Sequence, residues 1–200
     1  MRLIAKAGLD AVTVRDVAEG VGCSTAVVSH YFHNKKELLY LTYRATIDRA
    51  TERAEQALAT SNGDLKAYLA EIMPLDSERV TEWKVWLAFW AKAAADEEIA
   101  EDQRRCVLRT RGNILAILET LDARGQLVAG VDKAHVARRV LATITGMAVQ
   151  VMFDPEDWPN SRQHGLIDPE LRALYRPGHA PRSIQGAQAD RFEPVAEPAE

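Results

Sequence analysis

Between Thr13 and Phe32 the chain reads TVRDVAEGVGCSTAVVSHYF, and this stretch restricts the possible fold more than any other. Thr13 precedes Asp16 by three positions, a capping-box spacing in which a hydroxyl accepts from an orphan N–H and a carboxylate sits in the positive first turn. Val14, Val17, Ala18 and Val21 recur at helical spacing and give this first helix one apolar face. Gly22 then turns the chain where a Cβ would be penalised. Ser24 caps a second helix, in which Val27, Val28, Tyr31 and Phe32 are assigned the buried side while Thr25, Ala26, Ser29 and His30 face outward. A small residue at the helix crossing, a glycine in the turn and a branched residue on the second helix predict a helix-turn-helix, whose second helix enters the major groove of DNA.

The chain continues Tyr31-Phe32-His33-Asn34-Lys35-Lys36-Glu37-Leu38-Leu39. This run closely resembles the ending of the DNA-binding domain of the TetR/AcrR family, and the resemblance is specific over residues 1–50. It implies that Arg15, Thr25 and Ala26 meet base edges, Arg15 through paired donors to guanine and Ala26 through apolar contact with a thymine methyl. Ser24, Ser29, Tyr31 and Lys35 would hold phosphates, and His30 would do either. Ser29 stands where the family carries bulkier groups. The segment RLIAKAGLDAVTV resembles only the second half of the family's first helix. A second reading therefore stands beside the first: a dimeric ligand-binding protein that has lost DNA binding with the missing half-helix.

Net charge is −4, an unexpected sign for a nucleic-acid binder until it is divided along the chain. Residues 1–50 hold seven Lys and Arg against five Asp and Glu, and the remainder eighteen against twenty-four. A mildly basic head on an acidic body suits a protein that touches phosphate with one end. Cys23 and Cys106 have no metal-ligand spacing, and the longest uncharged stretch of the later helices, Val140 to Phe153, falls short of the roughly 20 residues that span a bilayer. A cytoplasmic protein without a membrane span, metal or cofactor is expected. No phosphate-binding glycine loop, nucleophile elbow or HExxH occurs, so no enzymatic activity is expected either.

Asn34 and Glu37 cap a helix that runs without glycine or proline from Lys35 to Thr60 and would link head to body. Shorter helices follow over Leu65 to Met73 and Glu78 to Ala95. In the second, Trp83, Trp86 and Trp90 fall on one face, with Phe89 nearby. These rings either fill a core or line a pocket whose faces receive a cation, an attraction of about 0.5–2 kcal/mol. The segment EWKVWLAFWAKA resembles the corresponding helix of the BetI-type subgroup, and that resemblance implies a choline-like small-molecule effector bound by Trp83, Trp86, Phe89 and Trp90.

A long helix from Glu97 to Arg124 is assigned a buried face that includes Val107, Leu108, Ile114 and Leu118. The next, Lys133 to Phe153, is apolar on most sides, so it is either the central helix of a monomeric core or a dimer interface. A two-fold protein reading two half-sites favours the dimer, formed through residues 133–153 and the last helix. That last helix is expected from Asp168-Pro169 to Tyr175, followed by a disordered tail over 176–200. The expected architecture is thus all-α: a helix-turn-helix head over 1–45, a helical effector-binding and dimerisation body over 46–175, and the tail. Its partners would be operator DNA, a small effector and a second copy of the chain.

Overall fold

The computed structural model describes residues 1–180. They form nine helices and one isolated antiparallel bridge, Leu127 with Tyr175. The head comprises α1 (Arg2–Ala11), α2 (Val14–Val21) and α3 (Thr25–Tyr31). The connecting helix α4 (Lys35–Thr60) leads to α5 (Leu65–Ile72), α6 (Ser77–Ala93), α7 (Glu97–Ala123), α8 (Lys133–Phe153) and α9 (Asn160–Arg172).

Most helix starts are fixed by the side chains that the sequence nominates. Thr13, Ser24, Asn34, Asp76, Asp96 and Asp132 each accept a backbone N–H from the first turn that follows. Gly8 interrupts α1 with φ 78° and ψ 168°, a conformation closed to residues with a Cβ, and this kink lets Leu9 and Val12 turn inward after Ile4.

Three apolar clusters hold the parts together. Ala18, Val28 and Leu38 form a small one inside the head, with Val14, Val17, Cys23 and Phe32 against it. A second joins head to body: Ile4, Leu9 and Val12 meet Leu39 and Tyr43 of α4 and Val85 and Phe89 of α6. The largest fills the body between α5, α6, α7, α8 and α9. By length and composition α8 is apolar enough to cross a bilayer, but its row Val140, Ile144, Met147 and Val151 is buried in this body core.

Several expectations are corrected. The last helix starts at Asn160, not Asp168, and Pro169 lies inside it. Gln163, Ile167 and Leu171 fall one helical turn apart and are buried, so packing of this row carries the helix through the proline. Val107 and Leu108 are each 41% exposed, because they lie off the inward row that runs through Ile114, Ile117, Leu118 and Leu121. Val27 and Tyr31, assigned to the buried side of α3, are 45% and 72% exposed, and only Val28 points into the head. Arg176, where the tail was expected to begin, is pinned: its N–H donates to Gln126 O at 2.9 Å and its Nε–H to Leu127 O at 2.8 Å. Residues 181–200 of the expected tail lie outside the described residues.

Candidate nucleic-acid interface and effector region

The head is built by local hydrogen bonds. Thr13 and Asp16 form a reciprocal capping box, with Thr13 N–H to Asp16 Oδ2 at 2.7 Å and Asp16 N–H to Thr13 Oγ1 at 3.2 Å. These bonds from Thr13 hold the Asp16 carboxyl below its ordinary range. At the other end of α2, Gly22 takes the left-handed conformation with φ 71°, and the Cys23 N–H closes onto Ala18 O at 2.9 Å. Ser24 Oγ then accepts from Val27 N–H at 3.3 Å and starts α3. The sharp turn leaves α3 with one buried residue, Val28, against Ala18 of α2.

Thr25, Ala26, Ser29, His30 and Tyr31 are all exposed on α3, and Ser24 is exposed at its cap. His30 and Tyr31 meet edge to face, their ring centroids 5.3 Å apart. Arg15 projects from α2 with its side chain 80% exposed, and its Nε–H donates to Glu19 Oε1 at 2.9 Å. Lys35 is only partly exposed. Its Nζ donates to the Asp10 carbonyl at 2.7 Å, which satisfies an end of α1 and leaves two further N–H donors on the ammonium.

In the body, α6 faces two ways. On one side Trp83 meets Trp86 edge to face at 5.1 Å and Trp90 at 5.7 Å. The Trp83 indole N–H donates to Ile72 O at 3.0 Å, and that of Trp86 to Thr46 Oγ1 at 2.8 Å. Phe89 is not part of this group. It stacks on Tyr43 of α4, centroids 4.5 Å apart and planes at 20°, in the cluster that joins head to body. Trp86 packs against both clusters.

A carboxylate that sequence inspection passed over is buried on the same helix. Glu82 is 1% exposed and receives both arms of the Arg53 guanidinium, at 2.9 and 2.7 Å. Its position four residues before Trp86 on an aromatic helix face was the available signal. The indole rings lie against one another. A cleft of about 610 Å³ opens instead between head and body, floored by Leu9, Leu39, Phe89 and Ile99 and rimmed by Asp10, Lys36, Lys92 and Asp96.

A helix-turn-helix head on a separate helical body with an aromatic face defines a regulator that binds DNA at one end and carries its control elements at the other. Residues 1–40 match the family of bacterial regulatory proteins named for tetR, and residues 61–176 match the family described as BetI-type transcriptional repressor, C-terminal. The chain belongs to the TetR family of transcriptional regulators, with a C-terminal region of the BetI type. It is 26% identical over 157 residues to the HTH-type transcriptional regulator PksA of Bacillus subtilis, covering 77% of this chain and 75% of that one. With the regulator BetI of Rhizobium meliloti it shares 28% over 153 residues, 75% of this chain and 72% of that one. Among solved structures, a transcriptional regulator from Saccharomonospora viridis in complex with choline superposes with a TM-score of 0.77 at 24% identity, over 88% of this chain and 93% of that one. A regulator from Rhodococcus sp. Rha1 superposes at 0.70 with 26% identity, over 86% and 90%. The match of the tetR-family head disfavours the reading in which DNA binding has been lost.

Proposed function

We propose that this chain is a homodimeric, cytoplasmic repressor that leaves its operator when a small organic cation of the quaternary-ammonium type enters the body beside Trp83, Trp86 and Trp90. The observation that carries this reading is the two-faced α6, with Trp83 and Trp90 toward the body core, Phe89 toward the head and Trp86 against both clusters. Indole faces attract a quaternary ammonium ion through their quadrupoles. Entry requires the Trp90 ring to swing off Trp83. That movement shifts α6, against which α1 of the head packs. The choline found in the Saccharomonospora viridis regulator supports choline as the first candidate.

On this reading residues 1–45 bind DNA and 46–175 bind the effector and the second protomer. Arg15, Thr25 and Ala26 meet bases, Ser24, Ser29, Tyr31 and Lys35 meet phosphates, and His30 meets either. All lie on the head or at the first residue of α4, and all but the partly exposed Lys35 are open to solvent. The dimer forms through α8 and α9. Phe153 at the end of α8 is 83% exposed and Leu166 on α9 is 43% exposed, apolar surface that a second protomer would cover.

The test is fluorescence anisotropy on the intergenic DNA beside the gene, with unrelated DNA as control. Saturable preferential binding that weakens roughly 5- to 150-fold on adding choline chloride is expected. Preferential binding with no response to choline, and none to the larger tetraalkylammonium ions, would overturn the effector class and leave the regulator standing.

A further inference from the structure

The outer surface of α3 has an unusual composition for a helix that reads bases. Thr25, Ala26, Val27, Val28, Ser29, His30 and Tyr31 include no Arg, Lys, Asn, Gln, Asp or Glu, so the helix has none of the forked or extended side chains that pair with guanine, adenine or cytosine edges. It carries instead a branched apolar side chain in solvent. Val27 is 45% exposed and lies outside the head cluster that takes in Val14, Val17, Cys23, Val28 and Phe32. It is the third residue of α3, next to the exposed Ala26 and one turn before Tyr31. In a helix-turn-helix the first turns of the second helix approach the base edges. The apolar group presented by standard bases in the major groove is the thymine C5-methyl.

We infer that Val27 is a specificity-determining residue that seats its methyl groups against a thymine C5-methyl in each operator half-site. Methyl contact by Val27 then joins the base contacts of Thr25 and Ala26 in readout by α3, and the half-site contains a thymine at that position. Hydrogen-bonded reading of guanine falls to Arg15 on α2, whose guanidinium is held by Glu19 until DNA is met. This inference rests on the DNA-binding reading above.

Replacing thymine by deoxyuridine removes the C5-methyl and leaves every hydrogen-bonding group of the base in place. In an operator mapped by footprinting, the thymine under Val27 in each half-site should respond, in addition to the one assigned to Ala26. Deoxyuridine under Val27 should weaken wild-type binding about fourfold per half-site, the effect of burying one methyl-sized group. Val27→Ala should bind the thymine operator more weakly by a similar factor and be indifferent to deoxyuridine at that position, while responses at other thymines stay as in the wild type. Its fold is checked by circular dichroism. A Val27→Ala protein as sensitive to that substitution as the wild type would overturn the inference, as would an operator insensitive to deoxyuridine throughout. Wild-type protein that prefers no DNA over random sequence would remove the DNA-binding reading itself, so the two failures are distinguishable.

Discussion

The Lys36 ammonium lies 3.0 Å from the Asp96 carboxylate and ties the first turn of α4 to the cap of α7. A second ion pair, Lys92 to Asp10 at 3.1 Å, crosses the same cleft from α6 to the end of α1. Head and body are thus latched by charges on the rim of the cleft, above the apolar contact of Phe89 and Tyr43.

Exposed pairs contribute little to stability, because water and salt screen them. Lys36→Ala should therefore leave the thermal midpoint nearly unchanged. It should reduce the factor by which effector weakens operator binding, since the latch is one of the links through which the body holds the head. Asp96 is held below the ordinary carboxylate range first by the Lys36 hydrogen bond, and Lys36 is held above the ordinary lysine range first by Asp96. The latch is lost as pH falls through the lowered Asp96 value and again as pH rises through the raised Lys36 value. Anisotropy titrations with and without effector measure the coupling, and an unchanged ratio in Lys36→Ala would assign it to the Lys92–Asp10 pair and the apolar contact.

Gly22→Ala isolates the geometry of the turn. A Cβ built at Gly22 meets nothing within 4 Å, so the cost is purely that of holding φ at 71° with a side chain. A loss of about 1 kcal/mol is expected, confined to the small cluster of the head. Operator affinity should fall while effector binding is kept. Equal losses in both would mean that the head and body unfold as one unit.

The starts of the long helices were legible because they depend on one side chain and the N–H groups that follow it. Asn34, Asp96 and Asp132 needed no knowledge of the rest of the molecule. The inward faces were less so. In the seven residues of α3 there are too few turns for periodicity to fix its phase, and Val27 and Tyr31 were assigned to the wrong side. The start of α9 was hidden by an apolar cap, Pro159, with no hydrogen-bonding side chain, while Asp168-Pro169 imitates a start eight residues later. On α6 the heptad step from Trp83 to Trp90 keeps those rings together, and Phe89, one residue earlier, is carried round to Tyr43. Pairs such as Lys36 with Asp96 join residues far apart in sequence, and no local pattern announces them.

Lys66 shows how costly such a distant pair is to break. It is 5% exposed, and its Nζ donates to Asp168 Oδ2 at 2.6 Å, joining α5 to α9. Removing either partner strands a buried charge, so Lys66→Met and Asp168→Leu should each cost about 3 kcal/mol. The double variant should recover most of that loss, because two apolar chains need no partner. Urea unfolding of the four proteins closes the cycle. Additive losses in the double variant would show that the two side chains are independently solvated.

The same site predicts a pH dependence. His164, on α9, has its value lowered first by burial and next by the positive charge of Lys66, with Asp168 opposing. The folded state therefore favours the neutral ring. A group lowered on folding contributes stability that is present above its unfolded value, 6.5, and is lost as pH falls toward its folded value. Asp64, which faces Lys66 from the start of α5, is raised by burial from 3.8, so its contribution has the opposite sign and is lost as pH rises. Its titration starts from the carboxylate range, and it opposes the histidine effect rather than imitating it. Between about pH 7.5 and about pH 5.5 the urea midpoint should fall, and His164→Gln should flatten that slope. A variant that retains the full slope would move the proton uptake to another group, and with it the charge balance assigned here to Lys66, Asp168 and His164.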